Sequence, residues 1–144
     1  MSVLSDIIGS VRSRIMGNLD ITSRIALWNN EPSVHTRLPL PSEVIFPLIA
    51  IGPTVVGIND VSLNSTRILV VSNIYCYGAI PDDFRSVEEV GYLLRTLFHR
   101  NYKTIVIPGY SVIGLVAYGP NLAVADDINI CGKLVSLSIR LLKT

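Results

Sequence analysis

The stretch "RILVVSNIYCYGAIPDDFRSVEEVGYLLRTLFHR", residues 67–100, constrains this chain more than any other. Thr66–Tyr77 is apolar on both faces, with Ile68, Val70 and Ile74 on one side and Leu69, Val71, Tyr75 and Tyr77 on the other. That pattern predicts a central strand covered on both sides. A Pro-Asp-Asp turn follows, then a helix over Asp83–Arg100 whose apolar set is Val87, Val90, Gly91, Leu94, Leu97 and Phe98. Asp82 and Asp83 suit the positive end of that helix, and His99 and Arg100 its negative end. Ser86 and Glu89 have capping-box spacing, which would start it a turn later. At ~1.5 Å per residue the helix is about 25 Å long, enough to cross a four-stranded sheet.

Around this unit the other elements fall into place. Leu4, Ile7, Ile8, Val11 and Ile15 recur at helical spacing over residues 2–18, with Ser2 or Ser5 as N-cap and Gly17-Asn18 as the stop. Val44–Ile51 predicts a strand that Pro47 pushes to an edge or to a late start near Leu48. Thr104–Ile107, continuing through Val112–Tyr118, and Ile130–Leu142 supply a second pair. In the last, Val135, Leu137, Ile139 and Leu141 alternate with Ser136, Ser138 and Arg140, the mark of a strand buried on one face. The expectation is one α+β domain over residues 1–144, a largely antiparallel four-stranded sheet with two main helices in the order α-β-β-α-β-β. A long Pro-rich loop is expected at about residues 28–43.

Composition narrows the function. With 144 residues, 16% of them charged, and a net charge of +1, no basic stripe for specific nucleic-acid recognition is written into the chain. The hydrophobic fraction, 49%, is high for a soluble domain, and so is the mean hydropathy of +0.49. The longest charge-free run, Thr104–Ala125, contains Pro108, Gly109, Gly114, Gly119 and Pro120, so two strands joined by a turn suit it better than a membrane helix. The N-terminus carries Asp6 before its arginines, the wrong order for a signal peptide. A cytoplasmic origin follows, and the apolar surplus points to oligomerisation.

Chemistry is sparse. Cys76 and Cys131 fall in expected strands and read as free thiols rather than a pair, since nothing marks the chain for secretion. The Asn64-Ser65-Thr66 sequon reads as a turn. Glu88 and Glu89 point about 100° apart on a helix and make no acid–base dyad. Asp126-Asp127, before the final strand, reads as a polar turn rather than a divalent-ion site. His35 and His99 have no partner at metal-ligand spacing, and neither a phosphate loop nor a nucleophile elbow is present. No catalytic residue, cofactor or metal is expected. Interface candidates are Trp28 and Arg37 in the loop, and Tyr118 and Leu122 near the connection between the last strands. Trp28 serves equally as core.

Several segments together resemble the tail terminator (tail completion, tail-to-head joining) proteins of long-tailed bacteriophages. They are the helix "LSDIIGSVRSRI", the link "TSRIALWNNEP", the approach "LPLPSEVIFPLIAI", the unit "TRILVVSNIYCYG…DDFRSVEEVGYLLRTLF" and the closing "GKLVSLSIRLL". The resemblance is one of element order, length and hydrophobic pattern over most of the chain, without a signature motif. It implies a non-enzymatic virion protein forming a ring, six-fold by expectation. Such a ring caps the tail tube protein and offers its other side to the head–tail connector or stopper protein. In a contractile tail its outside would also meet the sheath. The alternatives are another neck component (a stopper or head-completion protein) and a small ligand-binding α+β domain or enzyme.

Overall fold

The computed structural model describes residues 3–36, 40, 43–52, 54–59, 67–123 and 129–144. Ser2, Arg37, the Asn64 sequon, Val124 and the Asp126-Asp127 pair, all weighed above, lie outside the described residues, as does the side chain of Leu4.

Helix α1 (Val3–Met16) buries Ile7, Val11 and Ile15 completely, one residue per turn along a single stripe. It stops at Gly17-Asn18, where the Asn18 side chain accepts from the Ile21 N–H at 3.2 Å and caps the one-turn α2 (Leu19–Thr22). Next comes a two-residue hairpin, β1 (Leu27–Trp28) and β2 (Glu31–Pro32). It turns on Asn29 and Asn30 at φ 52° and 66°, the left-handed pair a tight hairpin of this kind needs. Strand β3 (Val34–His35) follows at once, so the segment expected as a loop begins with ordered backbone pairing.

The main sheet corrects the four-stranded antiparallel expectation. Among the described residues it has six strands, and it is mixed. Its path is β3, β4 (Leu48–Ile51), β6 (Arg67–Ala79), β8 (Ile130–Lys143) and β7 (Tyr110–Leu122), while β5 (Val55–Asn59) pairs with β6 beyond the end of β4. β3 runs parallel to β4, and every other pairing is antiparallel. β4 and β5 thus share one edge of β6, the first against Ile74–Tyr77 and the second against Ile68–Val71. The Gly52 N–H donates to Asn73 O at 2.8 Å between them. The order α-β-β-α-β-β fails for a physical reason. Elements of two to five residues carry too little periodicity to be seen alone, and backbone pairing to longer neighbours holds them.

The long strands fall close to expectation. β6 and β8 pair along their whole length, from Arg67 opposite Leu142 to Ala79 opposite Ile130. β7 forms the far edge, with bulges at Val112/Gly114 and Tyr118/Asn121. Thr104–Ile107, expected as a strand, is instead the end of a 3-10 turn (Tyr102–Thr104) and an unpaired connection. Ile105 and Ile107 still anchor the core there, and the Val106 N–H donates to Ser10 Oγ of α1 at 3.2 Å.

Helix α3 (Phe84–Phe98) lies across β6, β8 and β7. It buries Val87, Val90, Gly91, Leu94 and Phe98, while Leu97 is half-buried. Gly91 is required by packing, since a Cβ there would meet Pro120 Cβ of β7 at 2.7 Å. The helix starts at Phe84 rather than a turn later. Asp83 accepts the Ala79 N–H at 2.8 Å, closing the turn between strand and helix.

Candidate interaction surface

The two sides of the main sheet differ in kind. On β8, Val135, Leu137, Ile139 and Leu141 are fully buried, and so are Val70 and Ile74 on β6 and Leu115 on β7. These residues share one cluster with the inward stripes of α1 and α3. That cluster contains no residue of the opposite side: Leu69, Val71, Tyr75, Tyr77, Val116, Leu134 and Leu142 are all outside it and all half-buried. The described helices therefore lie on one side, leaving the apolar second side of β6, β8 and β7 without a described helix over it, while at the β4 edge Leu48 and Ala50 on that same side are buried.

Glycines shape that face. A Cβ on Gly132 would sit 3.0 Å from the Tyr77 ring, and one on Gly52 would sit 2.9 Å from the Tyr75 ring. The two rings are stacked, with centroids 5.9 Å apart and planes 1° from parallel. They form a flat aromatic floor over positions without side chains. Gly114 does the same for Arg140, whose methylene groups would lie 3.3 to 3.4 Å from a Cβ there. Across the strands, the Ser136 hydroxyl donates to Asn73 Oδ1 at 2.8 Å. Arg140 brings a charge to the face, and Arg67, opposite Leu142, falls at a register position of the same side; among the described residues Arg140 has no ion-pair partner.

The residues nominated from sequence do not converge. Tyr118, 55% exposed, belongs to this face, opposite Ser136. Leu122, 83% exposed, sits at the end of β7 opposite Lys133, whose side chain is turned towards Glu88 of α3. Trp28 is half-buried beyond the other edge, packing edge-on against His35 with centroids 5.1 Å apart. Tyr75, Tyr77, Leu69, Val71 and Arg140 were not nominated. The signal is present in the two-sided apolar pattern of β6, which by itself predicts a strand covered on both sides.

Titratable groups are engaged locally. His35 Nε2 pairs with Ser33 Oγ at 2.8 Å, and burial, helped by the Arg12 guanidinium, lowers its pKa. His99 Nδ1 accepts the Ala117 N–H at 3.1 Å. Both cysteines are free, and burial pushes the Cys76 thiol up to about 12. Cys131 donates weakly to Gly78 O at 3.5 Å. A groove of about 280 Å³ runs beside Arg24, Glu89 and Tyr92, where Arg24 and Glu89 pair at 2.7 Å. Among the described residues no three histidine, cysteine or acidic side chains come together to hold a metal. No described helix is long and apolar enough to cross a membrane.

No family model matches this sequence, and no curated protein matches it. One solved chain aligns at 16% identity over 97% of this chain and 94% of its own, with a TM-score of only 0.48. Another is described as part of the virion of a native gene transfer agent particle. It aligns at 10% identity over 98% of both chains with a TM-score of 0.78, so this chain shares its fold from end to end.

Proposed function

We propose that this chain is a structural virion protein, and specifically a tail terminator. Copies of it close into a ring, six-fold by expectation, that caps the tail tube and joins it to the head connector. The observation that carries this reading is the full-length fold shared with a chain of a gene transfer agent virion, at a TM-score of 0.78. The sequence resemblance to tail terminators supports a position at the head-proximal end of the tail. The uncovered apolar face supplies surface for assembly, and the mechanism is shape and surface complementarity without covalent chemistry.

Deleting the gene from the particle that encodes it tests this directly. Electron microscopy of the null lysate should show unjoined heads and tails, the tails of abnormal length, and the intact gene in trans should restore joined particles. Normal infectious particles from the null strain would overturn the reading. Joined tails of normal length with heads that leak their genome would assign the chain to a stopper position instead.

A further inference from the structure

We infer that the uncovered sheet face seats the outer side of α3 from a neighbouring copy of this chain, with Arg140 of one subunit meeting Glu88 of the next. The inference rests on the ring reading and specifies its subunit contact.

The size of the face fits such a role. Three strands of thirteen or fourteen residues make a surface about 40 Å long and about 14 Å wide. That is roughly 560 Å², or about 1,100 Å² for two partners together, above the ~1,000 Å² that a specific protein interface should clear. Its composition fits as well. Interface centres favour tyrosine and arginine and avoid lysine and carboxylates, and this face has Tyr75, Tyr77, Tyr118 and Arg140. Among its described residues there is no lysine, aspartate or glutamate. An apolar face of this extent is a liability unless its partner is always at hand, and a second copy of the same chain always is.

Charge decides the geometry. Two copies of the face placed together would set an unpaired arginine into an interface without an acid, so the complementary surface must be a different one. The outer side of α3 supplies it. Phe84, Glu88 and Tyr92 are spaced four residues apart and form one stripe. Phe84 and Tyr92 are 53% and 62% exposed. Glu88 approaches Lys133 at 3.5 Å with one oxygen while its side chain remains 60% exposed. The stripe therefore offers apolar contact around a carboxylate, which is what the opposite face lacks. Because α3 covers one side of the sheet and the receiving face is the other, the contact is head-to-tail, the kind that builds a ring when the rotation between neighbours closes.

Charge exchange tests the contact. R140E and E88R should each raise the concentration at half-assembly by at least about tenfold in light scattering. The double variant should recover assembly, and circular dichroism melts check that each variant is folded. Tyr75→Ala, which removes apolar contact without touching charge, should also weaken assembly. Folded R140E that assembles like the parent, a double variant that does not recover, or a parent that stays monomeric because its own chain covers the face would each overturn the inference. A null strain with unjoined tails that R140E fully rescues removes this contact and leaves the ring reading standing. A null strain without a defect removes the ring reading itself.

Discussion

The two faces of the β6–β8–β7 sheet are built from the same strands, yet they meet different requirements. On the helix side every inward residue of β8 from Val135 to Leu141 is fully buried, and α3 has given up a side chain at Gly91 to approach β7. On the other side the residues are comparably apolar but only half-buried, and glycines make room for side chains lying flat on the sheet. The first face is finished by folding. The second has its apolar content arranged as a surface, smooth and without an acidic residue among those described. Alternating hydrophobicity in a strand thus reports burial within the fold only when the second side is polar.

The largest effect should come from the finished face. Val90→Asp places a carboxylate without a partner between α3 and the sheet, and should cost ~3 kcal/mol or more in urea denaturation. A parent-like midpoint would mean that α3 is not held there by packing. Val71→Ser on the other face should cost less than ~1 kcal/mol of subunit stability, because the residue is already partly in water. A loss as large as that of Val90→Asp would erase the contrast between the faces.

The smallest effect sharpens the picture at the sheet's edge. His35 has a folded pKa below its ordinary 6.5, with desolvation the main cause and Arg12 the second. Above pH 6.5 both folded and unfolded chains hold it neutral, so its contribution is fully present. As pH falls through 6.5 the unfolded chain takes up a proton that the folded chain refuses, and stability declines until the folded pKa is passed. Denaturation midpoints between pH 7 and pH 5, above the range where ordinary carboxylates titrate, should fall for the parent. They should fall less for His35→Gln.

Much of this architecture was legible in the sequence, and the failures have common causes. α1, β6, α3 and β8 each carry a long periodic stripe, and their positions follow from it. β3 and β5 do not, because Val34-His35 and Val55–Asn59 owe their strand geometry to Ile49-Ala50 and to Ile68–Val71 beside them. The Asn29-Asn30 turn was a hairpin signal, but strands of two residues gave it no flanking alternation. Ile105 and Ile107 are buried as a strand would bury them, without a ladder to join. The interaction surface was visible as the second apolar side of β6. A sequence cannot distinguish a side covered by its own helices from one left for another chain.

The bulges of β7 bear on how this protein behaves when crowded. An outermost strand of thirteen residues would ordinarily template growth by backbone pairing, the first step towards fibrils. Here the longest unbroken run of the regular ladder is Gly114 to Tyr118. That is shorter than the six or seven residues, about the length of segment that stacks into a dry zipper. A foreign strand could add to this edge over less than two turns' worth of pleat before meeting a kink. Subunits can therefore accumulate to the local concentrations that building a particle requires, with their faces free to meet and the β7 edge a poor template for polymerisation.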